Sequence, residues 1–231
     1  MKKISQIETG GRFLYGGIEW VKLYAGDGTV AISAEPVFER AFDENNKNDW
    51  RSSSLRRELN GAFLDALVAE GADRAAFLDW ESDLTADDGM TDYGTATDKI
   101  ALLSDKLYRM FRGIIPRVDA WCWNLTPWTC DASYSYGVRG VYSSGAMDWI
   151  GAYDGRHGVR PLCYLIDIDT DFLYLCCHSL YVGMVYLNDI SVNGNLTQIG
   201  SHIVCWYQLH FFKYQIPFRF RYSEFNLHRS F

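Results

Sequence analysis

The sequence predicts an α+β domain in which two helices stand apart from an antiparallel sheet of short strands. Three observations carry that expectation. Residues 12–34 alternate around the turn signal Ala25-Gly26-Asp27-Gly28, the pattern of a β-hairpin. Leu55, Leu59, Phe63 and Leu67 recur every fourth residue, joined by Ala62 and Ala66, and so mark one face of a helix. After a second, shorter helical segment the chain becomes a succession of short strands and loops, which is the order of an α+β domain.

Each element has its own justification. In the hairpin, Ile18, Trp20 and Lys22 point to one side. Residues 42–54 (FDENNKNDWRSSS) form a polar loop ending in serines suited to cap a helix. The helix follows over residues 55–67. Asn60-Gly61 inside it costs about 1 kcal/mol against alanine, so a close packing contact is expected there. Residues 79–98 are acidic and loop-like. Their patch of Asp83, Asp87, Asp88 and Asp92 reads as solvated loop in preference to a cation site. KIALLS at 99–104 reads as a short strand, and Ser104 caps a short helix over 105–111 with Leu107, Tyr108 and Phe111 on one side. WCWNLTPW at 121–128 has period two, with Trp121, Trp123 and Leu125 on a shared core face. Residues 159–168 are strand-like again, with Val159, Leu162 and Leu165 apolar. The last 65 or so residues are dense in Tyr, Phe, Cys and His; the Asn-Gly signal within 190–199 suggests a further hairpin.

Composition narrows the function. The 231 residues are 48% hydrophobic and 16% aromatic, enough for a real core, and carry a net charge of −7 with no basic cluster. That balance argues against nucleic acid and anionic membrane as partners. Lys2 and Lys3 are not followed by an apolar h-region, so no signal peptide is expected and the chain reads as cytoplasmic at synthesis. The longest apolar stretch, 172–187, is short for a membrane span and contains His178 and Ser179, so no membrane insertion is expected. Cys122, Cys130, Cys163, Cys176, Cys177 and Cys205 form no C-x-x-C pair and fit no zinc spacing, which makes them buried thiols.

No catalytic constellation is expected, and neither metal nor cofactor. There is no P-loop, G-x-G-x-x-G, H-E-x-x-H or G-x-S-x-G. Asp167, Asp169 and Asp171 resemble the start of a calcium loop, but Phe172 takes the glycine position and His178 the bidentate glutamate position. Cys177 and His178, as strand neighbours, point to opposite faces and form no dyad. Asp154 and His157 are an acid–base pair without a nucleophile beside it.

The informative stretch is 133–161, SYSYGVRGVYSSGAMDWIGAYDGRHGVRP. Tyrosine, serine, glycine and aspartate lie between two Gly-Val-Arg repeats. This is the composition of antibody paratopes, in which aromatic rings give contact area at small entropy cost and small polar residues give adaptable hydrogen bonds. Tyr134, Tyr136, Tyr142, Asp148, Trp149, Tyr153, Asp154, Arg156 and His157 are the expected ligand-binding residues. Val138, Val141, Ala146, Ala152 and Val159 are the expected anchors to the core.

Several motifs also carry a family resemblance. They are WCWNLTPW at 121–128, SSGA at 143–146 and GVRP at 158–161, with GGIEW at 16–20, NDWRSSSLRRELN at 48–60 and KIALLS at 99–104. Over roughly residues 5–166 the chain resembles the variable proteins of diversity-generating retroelements. These are bacterial and phage proteins with a C-type-lectin-like fold related to that of the formylglycine-generating enzyme. The resemblance implies a C-type-lectin-like domain over 1–166, with a variable region at about 121–165. It implies a ligand-binding protein of phage or prophage origin for receptor or host recognition, whose partner is a protein or glycan target on a cell or virus surface. In such systems adenine-directed mutagenesis of Asn codons yields Tyr, Asp, Ser, Gly, His, Ile and Arg. Those residue types fill this stretch, whereas Trp149 needs a different codon. Two departures stand out: the calcium-site tripeptides of sugar-binding lectins are absent, and the chain continues as a C-terminal extension over 167–231. That extension is either an added module or the product of a shifted reading frame. The alternative function is an enzyme on the formylglycine-generating-like frame, for which Cys122 and Cys130 are the candidate residues.

Overall fold

A computed structural model describes residues 3–168. Its strands are β1 (Arg12–Tyr15), β2 (Ile18–Ala25), β3 (Thr29–Ser33), β4 (Phe38–Glu39), β5 (Trp80–Asp83), β6 (Thr95–Asp98), β7 (Ile100–Ala101), β8 (Cys122–Pro127), β9 (Gly137–Val141), β10 (Met147–Gly151), β11 (Gly158–Val159) and β12 (Leu162–Leu165). The helices are α1 (Ser54–Glu58), α2 (Leu64–Ala69) and α3 (Asp105–Phe111). The architecture is mixed α+β with mostly antiparallel strands. One sheet runs β1-β2-β3-β12-β7, a second runs β10-β9-β8-β11-β4, and β5 and β6 form a separate ribbon. The single register pair between β8 and β11 is parallel.

The expected hairpin is present, as β2 paired with β3. Its alternation is only partial because both faces are covered: Trp20, Val21, Lys22 and Leu23 are all buried. Lys22 keeps its charge solvated by donating from Nζ to the carbonyls of Ile4 and Ser5, at 3.1 and 3.0 Å. The main core joins both sheets to the helical segment. Trp20, Trp50, Trp123 and Phe42 are fully buried in it, and the Phe42 ring lies 5.6 Å from Trp50 and 5.8 Å from Trp123.

Ser53 caps α1 through its hydroxyl, which accepts from the Arg56 amide at 3.1 Å. The helix does not run straight to residue 67. A wider turn over Leu59–Phe63 separates α1 from α2, with Gly61 at non-helical φ −112°, ψ −105°. The close contact expected at this glycine is not there, since a Cβ on Gly61 would meet nothing within 4 Å. Its neighbour Asn60 makes the contact instead. The Asn60 amide accepts from the backbone of Lys99 and Ile100, both at 3.0 Å, and donates to the Ile100 carbonyl at 2.8 Å. It thereby stands in for a strand beside the short β7.

Three further expectations are corrected. The acidic loop of 79–98 contains the ribbon β5–β6. Its inward positions are Ser82, Ala96 and Asp98, too polar to read as a strand. Of the strand expected over 99–104, only Ile100–Ala101 pairs. The strand expected over 159–168 is two strands in two sheets, β11 and β12, with Arg160-Pro161 crossing between them. Proline has no amide hydrogen to continue a ladder. Arg160 turns inward and donates to the carbonyls of Ser33, Ala34 and Pro116 at 2.8–3.1 Å. Asp167 lies beyond β12 and accepts from the Ser5 amide and hydroxyl, both at 2.9 Å.

The expected hairpin at 190–199, Asp169, Asp171, Cys176, Cys177, His178 and Cys205 lie outside the described residues. Among the described residues no helix is long and apolar enough to cross a membrane.

Candidate recognition surface

The glycine-rich stretch begins where β8 ends. β8 is buried at every position and forms the middle of its sheet. β9 pairs on it and β10 pairs on β9, so β10 is the free edge. Trp149 lies opposite Arg139, and Ile150 opposite Val138. Val138 is wholly buried and Ile150 packs against the core, which fixes the register of the hairpin.

That register divides the expected binding residues between two faces. Asp148 and Trp149 are strand neighbours and point to opposite sides. On one side the Trp149 ring stacks on Trp128 at 4.6 Å and 9°. Tyr134 meets Trp128 edge-on at 5.7 Å, and Tyr136 meets Trp149 edge-on at 6.1 Å. Gly137 is required under this group, because a Cβ there would lie 3.1 Å from Trp128 and 3.2 Å from Trp149. On the other side the Tyr142 hydroxyl donates to Asp148 Oδ2 at 3.3 Å, and its ring stacks on Trp121 at 3.9 Å. Tyr153 and the Asp154–Arg156 fork (2.7 and 3.0 Å) occupy the loop after β10. Tyr134, Tyr142, Trp149 and Tyr153 are 50%, 37%, 36% and 66% exposed, enough to offer a ring face or edge to a partner. Asp148 and Arg156 are exposed, and Tyr136 and Asp154 half-buried.

His157 is a correction. It was expected at the surface, yet it is 3% exposed, with its ring 4.6 Å from both Trp121 and Trp123. Neither ring nitrogen has a hydrogen-bond partner, and Asp154 Oδ1 stands 3.5 Å away, too far for a good one. His157 belongs to the frame. Trp121 is corrected in the opposite sense: Trp123 and Leu125 are core, but Trp121 is half-buried and serves as the platform for Tyr142. Of the expected anchors, Val138, Ala152 and Val159 are buried, Val141 is half-buried and Ala146 is exposed.

Sequence reasoning missed Trp128, the other platform; its position directly after Pro127 at the start of the polar stretch was the available signal. It also missed what holds the stretch from behind. Asn48 is fully buried and donates to the carbonyls of Thr129 and Gly137 at 2.8 and 2.9 Å while accepting from the Tyr93 hydroxyl at 2.8 Å. Arg139 pairs with the buried Asp105 at 3.0 Å, and Asn124 donates to the same carboxylate at 2.6 Å. Burial pushes the Asp105 carboxyl above the usual carboxylate range, opposed by those two partners.

The arrangement offers no reaction centre among the described residues. Burial pushes the Cys122 thiol up to about 11 and raises Cys130 as well, so neither is a thiolate at neutral pH. In the acidic segment Asp87 is paired with Arg109 at 3.3 Å, and among the described residues no group of three His, Cys, Asp or Glu side chains is placed to hold a metal ion. The surface instead presents stacked rings with a polar rim. No family model, curated protein or solved structure matches the chain.

The buried His157 makes stability depend on pH. Burial first, with Arg156 adding, pulls its pKa below 6.5 against the opposing pull of Asp154. Below pH 6.5 the unfolded chain therefore takes up a proton that the folded chain refuses, and stability falls as pH drops toward the folded value. Urea unfolding of the wild type between pH 7 and pH 5, compared with His157→Phe, is expected to show a steeper acid loss in the wild type. Parallel curves would place no titration at His157.

Proposed function

We propose that this chain is a ligand-binding protein that displays a recognition surface over residues 133–156 on a C-type-lectin-like scaffold, in the manner of retroelement variable proteins. Its target is a protein or glycan on a cell or virus surface, met as a receptor- or host-recognition element of phage or prophage origin. One observation carries the reading. The large exposed rings of the stretch rest on tryptophans outside it, Trp149 on Trp128 and Tyr142 on Trp121. A ring stacked on a fixed platform has already lost its rotamer freedom, so a partner gains its contact area at small entropic cost.

The test is a screen of the full chain against bacterial surface extracts, repeated with Tyr134, Tyr142, Trp149 and Tyr153 all changed to alanine. Central aromatic anchors contribute about 1–3 kcal/mol each, so the variant is expected to lose binding by about a hundredfold or more while keeping a cooperative unfolding transition. Equal capture of the same target by both proteins would remove the assignment.

A further inference from the structure

A cleft of about 50 Å³ opens beside the β9–β10 turn, bordered by Tyr108, Arg112, Arg117, Tyr142, Gly145 and Arg160. Gly145 has φ +78° and no side chain to fill the opening. A methyl group on it would lie 3.1 Å from the Tyr108 hydroxyl and 3.6 Å from both Arg112 Nη2 and Arg117 Nε. Two guanidinium groups thus converge on one point, from α3's C-terminal end and from the loop before β8.

Among the described residues, no carboxylate lies within 4 Å of Arg112, Arg117 or Arg160. Arg160 spends its donors on backbone carbonyls, and Glu35 acts on it only at longer range. Arg112 and Arg117 are thus two neighbouring cations without a carboxylate beside them among the described residues, a pair that suits an anion from outside. Size limits what enters. The volume corresponds to on the order of four waters, room for a carboxylate but not for a sugar ring or an aromatic group. The half-exposed Tyr142 ring also lines the cleft, with one face held against Trp121 and its hydroxyl donating to Asp148.

We propose that this cleft takes the carboxylate of an acidic sugar, held by Arg112 and Arg117, with the pyranose ring laid along Tyr142. The assignment rests on the recognition reading above and names the ligand class for one end of that surface. A planar carboxylate suits paired guanidinium donors, and the Tyr142 ring that lines the same cleft suits the C–H face of a pyranose.

The experiment uses the full chain and calorimetric titration with glucuronic acid, N-acetylneuraminic acid, methyl glucoside and acetate, on wild type, Arg112→Ala/Arg117→Ala and Tyr142→Ala. Both arginines are exposed, so the double variant is expected to fold. A sugar acid should bind the wild type, at least about tenfold more weakly to the double-arginine variant, and measurably more weakly to Tyr142→Ala. Acetate should bind about tenfold more weakly than the sugar acid, and methyl glucoside not at all. Equal affinity for wild type and the double variant would overturn the proposal. So would acetate binding as tightly as the sugar acids, which would mark a site for a bare oxyanion or an acidic peptide side chain, or an absence of saturable binding at tens of millimolar. The two readings fail separately. A target lost with the four-alanine variant while sugar acids bind the double-arginine variant normally leaves recognition standing and removes the cleft. A target captured equally by wild type and the four-alanine variant, with sugar-acid binding lost in the double-arginine variant, does the reverse.

Discussion

Replacing Arg160 with methionine is expected to destabilise the fold by about 3–5 kcal/mol. The side chain is 6% exposed at the crossing from β11 to β12, where Arg160-Pro161 carries the chain from one sheet to the other. Its guanidinium donates to Ser33, Ala34 and Pro116 carbonyls, tying the end of β3 and the loop before β8 to the crossing. Methionine keeps most of the aliphatic stem but leaves the buried Ser33 and Ala34 carbonyls without this donor. Arg156, four residues earlier, is the control. Its side chain is 85% exposed and pairs only with Asp154, so Arg156→Met should change stability by no more than about 0.5 kcal/mol. Urea unfolding of both variants decides it. A loss at Arg160 as small as that at Arg156 would mean the crossing is held by something else.

Trp123→Ala is expected to cost about 3–5 kcal/mol, and Trp149→Ala about 1 kcal/mol. The two tryptophans lie two strands apart in one sheet. Trp123 is 1% exposed, packs on Phe42 and His157, and donates from Nε1 to the Arg40 carbonyl at 2.7 Å. Its removal opens a cavity between the helices and the sheet and strands that carbonyl. Trp149 stacks on Trp128, meets Tyr136 edge-on and is 36% exposed. Its loss removes a stacking partner and less buried area than the loss of Trp123, and the larger effect should fall on binding. Equilibrium unfolding of the pair measures the contrast directly. Similar losses from both would show that the exposed rings also hold the fold.

How much of this was legible in the sequence varied with the physics of each element. The caps Ser53 and Ser104 were readable because capping is local: each hydroxyl accepts from the amide three residues on. The helical face of Leu55, Leu59 and Leu67 was readable because its apolar residues recur with the helix period. The cost of Gly61 inside the helix was legible, but the break there was not, because Asn60 acts on Ile100, a partner forty residues away. β5 and β6 were missed because their inward positions include Ser82 and Asp98, and Asp98 is tolerable inside only through Arg56 at 2.7 Å and Trp50 at 2.9 Å.

The site was partly visible in the same way. The aromatic and polar residues of 133–156 were identified by composition. Their division into a Trp149 face and a Tyr142 face depends on the β9–β10 register, which composition does not carry. His157 was misplaced because the residues around it in sequence, Asp154 to Gly158, read as a polar loop. Its burial comes from Trp121 and Trp123, more than thirty positions earlier. Arg112 and Arg117 are likewise remote from the stretch they border and were not identified as site residues.

The central claim is that buried residues, within the stretch and around it, hold its backbone and leave the exposed side chains free to change. The most direct test is a pair of libraries of the full chain, displayed and sorted by resistance to protease. One randomises Tyr134, Tyr142, Asp148, Tyr153 and Arg156; the other randomises Trp123, Val138, Ala152, Val159 and Arg160. Most members of the first are expected to survive and few of the second. Equal survival of the two libraries, or loss of most of the first, would contradict the claim.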